Sequence, residues 1–463
     1  MKRDLEAESP LLAVEPVKLG GERSRLSSTL MFLICLIPAV AAVLFGGVDS
    51  ITWAIFSLFW ALLIVLWLGD AWRGGGLLIN TSPLLFPITG LLLIGALQMV
   101  PLPVIGSIDS SATLFFTLRL LFYLTFFATC LTFINSESRL TKAVIFVIVF
   151  GAAMAFFGIL QRLANPDGIY GLRVTPQALS FGPFVNQHHF AAFMEMTGGL
   201  TLGLLFGVPL QRDRRILLAT AFIVMGAAVG FTGSRGGLLA FTSVVGFVVL
   251  VRLLSRETEN DGASSANGSL TSRLAFAAAG LGLIFLILSL VLFLGGNDPL
   301  LRSTGVNLMD ADVSTGRFHF WPIALKIFVA HPLLGSGYDS FGTAFTAYDT
   351  WPGLYRVEQA HNDYLQALAD AGIAGFLCVL AFIFLLFRKG LAVVTTSSGF
   401  RKYVAVGALA GCFGILVHSF FDFPLRTPSN ALFFLLLTTI AVVVVPSEEK
   451  PKRRRRTPSA HSQ

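Results

Sequence analysis

Residues Tyr403–Phe421 read YVAVGALAGCFGILVHSFF, a run without Lys, Arg, Asp or Glu. A span of hydrocarbon takes about 20 apolar residues in a helix, and such a helix satisfies its own backbone N–H and C=O groups where no water is present. The run therefore predicts a transmembrane helix. Working outward, comparable runs cover residues 428 to 446, 373 to 388, 274 to 295, 237 to 254, 216 to 233 and 187 to 208. Towards the N-terminus they recur at 141 to 162, 113 to 133, 82 to 101, 51 to 69 and 29 to 47. The expected fold is all-α, an integral membrane bundle of about twelve helices.

Composition agrees: 55% of the 463 residues are hydrophobic and only 13% are charged. A soluble domain carries about 25% charge, whereas an ionised group at mid-bilayer costs about 2.5 to 3.5 kcal/mol. The net charge of +7 is thus read by its placement relative to the spans, and no nucleic-acid partner follows from it. Most Lys and Arg fall on one side of the span map, which predicts both termini in the cytoplasm. Arg212, Arg214 and Arg215, and Lys452 with Arg453 to Arg456, read as topology anchors and contacts to anionic membrane lipid. The expected organisation is a cytoplasmic tail over residues 1–28, a membrane domain over 29–446 and a basic cytoplasmic tail over 447–463. The first 25 residues mix acid and base without a small-residue cleavage site, so the first helix is expected to be retained. Cys35, Cys130, Cys378 and Cys412 sit inside apolar runs without CxxC spacing, predicting neither disulfide nor metal site.

One connection is long, residues 296–371, and predicted to be periplasmic. Trp321, Phe328, Tyr338, Phe341, Trp351 and Tyr355 give it a composition unlike that of disordered chain. Two short helices are expected in it. The first, from about Gly316 to Ala330, places Trp321, Leu325 and Phe328 on one face and stops at His331-Pro332; a helix on the membrane surface suits it. The second, from about Glu358 to Ala371, places His361, Leu365 and Leu368 on one face before Gly372 ends it. The inner connection Glu257–Ser272 reads as a flexible linker.

Four polar constellations share the outer side of this map. Asn186-Gln187-His188-His189 enters the sixth span. Thr232-Gly233-Ser234-Arg235-Gly236-Gly237 turns between spans seven and eight, where glycines admit close backbone approach and Arg235 offers a fork suited to phosphate. The long loop contributes Arg317, His331-Pro332-Leu333-Leu334-Gly335-Ser336-Gly337 and Glu358-Gln359-Ala360-His361-Asn362-Asp363-Tyr364. His418, Asp422 and Arg426 recur every four residues at the end of the eleventh span. Each has a plainer alternative: a hairpin turn at Ser234-Arg235-Gly236-Gly237, interfacial histidines at 188 and 189, an internal structural pair at His418 and Asp422, and a snorkelling Arg119. A histidine pair without a third ligand is not a metal site, and Asp310-Ala311-Asp312 is weak evidence for one.

The order of these motifs resembles the O-antigen ligase and polymerase superfamily. Ser234-Arg235-Gly236-Gly237 is followed by Arg317 with Trp321, His331-Pro332-Leu333-Leu334-Gly335-Ser336-Gly337, His361-Asn362-Asp363-Tyr364-Leu365 and Ala371-Gly372-Ile373-Ala374-Gly375. Asn186-Gln187-His188-His189-Phe190-Ala191 and His418-Ser419-Phe420-Phe421-Asp422 look like its flanking motifs. The resemblance covers roughly residues 180 to 430; the first five spans match only in hydropathy. It implies a GT-C-like membrane glycosyltransferase, independent of metal and without a cofactor. Such an enzyme moves a glycan from undecaprenyl diphosphate to an acceptor glycan or glycolipid at the periplasmic face of the inner membrane.

Expulsion of a diphosphate develops charge on phosphate oxygens, which fixed arginines stabilise. On the resemblance, Arg235 and Arg317 are the expected diphosphate clamp and His361 the base for the acceptor hydroxyl. Glu358, one helical turn earlier, is expected to orient the imidazole. Ser234, Asn186, His189, Asn362, His418, Asp422 and Arg426 complete the candidate set. The resemblance admits ligases, polymerases and protein O-oligosaccharyltransferases, which differ in acceptor. A lipid-linked glycan flippase is the competing class, though internal repeats of the transporter kind are not evident.

Overall fold

The computed structural model describes residues 25–102, 106–164, 168–175, 179–208, 210–254, 278, 280, 282, 316–351 and 356–445. Nine helices in this set are long and apolar enough to cross a membrane. They are α1 (Arg25–Val43), α2 (Ser50–Gly74), α4 (Ser110–Phe133), α5 (Glu137–Ala164), α6 (Gln187–Gly207), α7 (Arg212–Thr232), α8 (Arg235–Leu254), α11 (Asp363–Thr396) and α12 (Gly399–His418). Two shorter apolar helices, α3 (Leu85–Gln98) and α13 (Pro428–Val442), occupy two more of the expected spans. The chain is an all-α, multi-pass membrane protein. The expected span at 274 to 295, the linker Glu257–Ser272, Asp310 and Asp312, and most of both tails lie outside the described residues.

At the centre stands α6, whose apolar window is 83% buried, whereas that of peripheral α2 is 17% buried. Helix α6 packs on α5, α7, α8 and α12. Its approach to α12 is close for a steric reason. A Cβ on Gly199 would overlap the backbone of Gly411, and one on Gly203 that of Gly407. Small residues at intervals of four let two backbones meet, the usual device for joining helices where lipid supplies no hydrophobic drive. Around the rim, Leu58, Val65, Phe115, Val149 and Phe384 are exposed, as lipid-facing side chains should be.

The segment between spans is ordered by a core of its own. Helices α9 (Arg317–Ala330) and α10 (Phe341–Phe345) bury Phe320, Ile323, Ala324, Ile327, Phe341 and Phe345 against Ala360 and Ala369. The expected face of α9 is therefore rotated. Trp321 and Phe328 are only half-buried and Leu325 is exposed, because the neighbours that α9 covers are α10 and the start of α11, which the periodicity alone did not supply. The second expected loop helix is also corrected. It begins at Asp363, capped by Asn362, whose side chain accepts from the N–H groups of Tyr364 and Leu365, and it runs on through Gly372 to Thr396. Gly372 (φ 61°, ψ −164°) ends the first segment as expected: Ile373 and Ala374 donate to the Pro332 and Leu333 carbonyls, and the helix resumes across this kink as the span. There Leu333 and Gly335 press against the bend, leaving no volume for a Cβ.

A charged clasp fixes this segment to the bundle. Arg426 pairs with Asp370 and, at 3.2 Å, with Asp339. Arg119 meets the other Asp339 oxygen at 3.7 Å while lying over the Trp53 ring, so it is a structural cation and not a snorkelling one. Gln98 donates to the Asp370 carbonyl at 2.7 Å and accepts from the Tyr338 N–H at 3.1 Å. Burial opposes charge on Arg426, but Asp370, Asp339 and Asp363 more than offset it and hold the guanidinium protonated.

Candidate functional site

Helices α6, α8, α11, α12 and α13 all place an end at the same pole of the bundle, and the polar constellations converge there. His361 precedes the α11 cap in a left-handed conformation (φ 50°), which histidine tolerates better than most side chains. Its ring stacks on Phe320 with centroids 5.8 Å apart and meets the edge of Phe423 at 4.9 Å. Nδ1 lies 3.1 Å from Asp422 Oδ1, and the imidazole is 33% exposed while the carboxylate is 1% exposed. Burial works against ionisation of Asp422, yet the hydrogen bond from His361 and the nearby His188 and His189 rings hold its carboxyl well below the usual range. An ionised Asp422 accepts from Nδ1–H, so neutral His361 keeps its lone pair on Nε2.

Glu358 does not take part in this pairing. Residues 358 to 362 are not helical, so no helical turn links Glu358 to His361, and the Glu358 carboxylate pairs with exposed Arg356. The orienting carboxylate comes instead from Asp422, on the turn after α12.

Arg317, the first residue of α9, donates from Nε to the Phe421 carbonyl at 2.7 Å, one residue from Asp422. Arg235, half-buried, opens α8 next to Ser234. The turn between α7 and α8 is tight, as expected, and shorter than the motif. Gly233 caps α7 in the left-handed region (φ 66°), and Gly236 and Gly237 lie within α8. A Cβ on Gly236 would stand 3.4 Å from His418 Nε2, and one on Gly237 would press on Ala191. The Ser234 hydroxyl accepts from Gly237 N–H at 3.0 Å and lies 2.7 Å from His188 Nδ1, joining α8 to α6.

The other candidates separate into roles in holding the site. Asn186 caps α6, accepting from His188 N–H at 2.8 Å. His189 turns away from His188, with Nδ1 2.6 Å from Thr427 Oγ1. The expected His418, Asp422 and Arg426 group divides three ways: Asp422 to His361, Arg426 to the clasp, and His418 to a carboxylate on α6. That carboxylate is Glu195, 2.7 Å from His418 Nδ1 and fully buried. The sequence reading passed over Glu195, although a lone acid inside an apolar span is itself a signal. Asp339 and Asp370 were missed, and Asp363 was in view only as part of a motif, because their partners lie far along the chain.

His188, His418 and Asp422 each bring one ligand-type atom within 4.8 Å of the others. His189 is not in this group; His188 finds both companions on α12 and its turn, and the three could hold a cation if they closed to the ~2.1 Å ligand distances of a metal site.

Residues 220–380 match the model of a family described as O-antigen ligase. Over this stretch the chain is similar to O-antigen ligases. The matched segment contains Arg235, Arg317 and His361, while His188, Glu195, His418 and Asp422 lie outside it and complete the pole around it. No curated protein matches the chain. The resemblance read from the motif order therefore holds at the level of the superfamily, and with it a glycan ligase or polymerase type of protein in a membrane.

Proposed function

We propose that this O-antigen ligase-like protein is a glycosyltransferase that moves a glycan from undecaprenyl diphosphate to an acceptor hydroxyl at the periplasmic face of the bacterial inner membrane. The observation that carries the reading is the half-exposed His361 imidazole held through Nδ1 by buried Asp422, with Arg317 anchored one residue from that carboxylate. In this reading His361 Nε2 takes the proton of the acceptor hydroxyl as the oxygen attacks the anomeric carbon. The bond to the diphosphate breaks and its electron pair leaves with the phosphate oxygen. Arg317 and Arg235 meet that charge with planar donors. Asn362 and Ser234 act structurally, the first as the cap that sets His361 at the head of α11 and the second as the link to His188.

The acceptor is taken as lipid A core or a similar glycolipid, the ligase assignment, ahead of a growing polysaccharide or a protein hydroxyl. The topology assigned is that of the span map, with 296–371 periplasmic and the tails 1–28 and 447–463 cytoplasmic. Charge neutralisation by arginine needs no metal, so turnover is expected to survive a chelator.

Purified protein in vesicles, supplied with a lipid-diphosphate glycan and acceptor, tests the class: diphosphate-lipid release coupled to acceptor glycosylation supports a transferase, and movement of the glycan lipid across the bilayer without release supports a flippase. The glycan profile of a deletion strain tests the acceptor. Free lipid-linked polymer marks a missing ligase, and accumulated single repeat units a missing polymerase.

A further inference from the structure

Trp351 is an aromatic ring that the transfer chemistry leaves unused. It stands 42% exposed after α10, with Thr343, Thr346 and Thr350 exposed nearby in the chain. An indole at such a place is free to turn unless something holds it, and this one is held from three directions. The His319 ring stacks on it with centroids 4.3 Å apart and planes 4° from parallel. Asp349 Oδ1 accepts from the Trp351 N–H at 3.0 Å and lies 2.7 Å from His319 Nε2, so one carboxylate oxygen ties the Trp351 backbone to the ring that backs its side chain. Phe320 meets the indole at 5.7 Å with an interplanar angle of 64°, and through it Trp351 joins the core of the loop segment.

The ring separations decide which surface of the indole is open. The His319 and Phe320 centroids are 6.3 Å apart, much less than the sum of their distances to Trp351, so the two rings do not sit on opposite sides of it. Phe320 lies towards the indole's edge and His319 covers one face; neither ring covers the far face of this half-open side chain. Phe320 also stacks on His361 with centroids 5.8 Å apart, so a single ring separates the indole from the imidazole. Aromatic faces carry negative charge density and attract the weakly positive C–H groups on one face of a sugar ring, while the sugar's hydroxyls stay with water and polar side chains. A Trp that only anchors chain at the lipid headgroups needs no such backing. A binding platform benefits from it, because a ring already fixed loses little freedom when its ligand arrives.

We propose that Trp351, backed by His319 and Asp349, is a sugar-stacking platform: a subsite that takes one pyranose ring of a glycan substrate against the open indole face while the reacting centre lies at His361. The proposal rests on the reading of the chain as a glycan transferase. Trp351 touches no reacting atom in it and binds a sugar unit beside the one that reacts. Such a contact is the same before and during transfer, so it sets KM and leaves kcat almost alone. Donor and acceptor glycans share the C–H face and differ in whose KM the platform sets.

The test compares Trp351→Ala, Trp351→Leu and Trp351→Phe in vesicle-reconstituted protein turning over a lipid-diphosphate glycan and acceptor. Trp351→Ala is expected to raise a substrate KM about tenfold, the scale of an aromatic face contact with the apolar area it covers, and to leave kcat within about twofold. Trp351→Phe keeps an aromatic face and should recover most of that loss. Trp351→Leu keeps apolar bulk without the face and should resemble Ala, and it carries the test should the Ala variant fail to insert. A rise in the donor KM assigns the subsite to the donor glycan, and a rise in the acceptor KM assigns it to the acceptor. Saturation-transfer NMR reads binding without turnover, using soluble oligosaccharides released by mild acid from the host's lipid-linked glycan and from its acceptor glycolipid. The C–H protons of one sugar face should take up saturation with the parent and the Phe variant and lose it with Ala. Parent values of both KMs in Trp351→Ala, or a Leu variant that binds as well as Phe, overturn the proposal in favour of an interfacial anchor. The two readings fail separately. Trp351-dependent binding by a parent that turns nothing over sinks the transferase reading alone, whereas an inactive His361→Asn beside an unchanged Trp351→Ala sinks only the platform.

Discussion

At the scale of single residues, His361 concentrates the most consequence. It sits in the left-handed region at φ 50°, where an alanine is strained by about 1 to 2 kcal/mol. His361→Ala therefore mixes a backbone effect with a chemical one, and His361→Asn, tolerant of that region, is the cleaner change. Both are expected to lower turnover by about 10² to 10⁴, with the Asn variant retaining the parent's thermal stability in detergent; an undiminished rate would remove His361 from the base role. Arg317→Lys and Arg235→Lys should each cost at least about tenfold in kcat, since a point charge replaces a planar fork. Near-parent rates for both would locate the diphosphate elsewhere. Asp422 adds a pH dependence. Folding lowers its value below the ordinary ~3.9, so the carboxylate contributes its full stabilisation above that pH and loses it as pH falls through the lower, folded value. The thermal stability gap between the parent and Asp422→Asn should then be constant from about pH 5 to pH 8 and shrink in stronger acid. His361, Arg235 and Arg317 were legible as residue types in motifs. Asp422 was legible as a candidate but not as the partner of His361, because the two are brought together across 61 positions of chain.

At the scale of elements, hydropathy located the spans well because burial in lipid is a property of composition over a window. It located helix ends and faces less well, because those depend on particular partners. Asn362 and Gly372 show the difference: the glycine breaks the helix where expected, whereas the cap sits inside the stretch expected to be helical. The seam of α6 and α12 was written as glycines every four residues, Gly199-Gly203-Gly207 against Gly407-Gly411, and went unread because apolar runs were counted without regard to size. Its strength is open to measurement. Gly411→Val forces a branched side chain into the Met196 backbone and Leu437, an overpacking that costs about 1 to 3 kcal/mol. Gly246→Ala in α8 meets nothing within 4 Å and should be neutral or gain up to about 1 kcal/mol from helix propensity. Thermal unfolding in detergent compares them, and equal melting temperatures for the two variants would show that the close approach carries no stability.

At the scale of the whole molecule, the two poles differ in charge, and the difference predicts which way the chain lies. The pole opposite His361 carries Arg212, Arg214 and Arg215 at the start of α7, Arg252 near the end of α8, Arg388 and Lys389 in α11, and Arg401 and Lys402 in α12. Near the site, Arg426 and Arg119 are paired with carboxylates, Arg426 with Asp339 and Asp370 and Arg119 with Asp339. Basic side chains are retained in the cytoplasm, and those paired with carboxylates exert less hold, so the His361 pole is expected to face outward. Native thiols interfere little with a labelling test, since Cys130 and Cys412 are buried and Cys35 and Cys378 half-buried in apolar helices. Thr343→Cys, exposed on α10, should react with a charged, membrane-impermeant maleimide in intact spheroplasts. Ser398→Cys, exposed in the turn between α11 and α12, should react only after the membrane is opened. The reverse pattern would turn the imidazole towards the cytosol, on the side away from the proposed acceptor, and a transfer at the periplasmic face would then have no base to serve it.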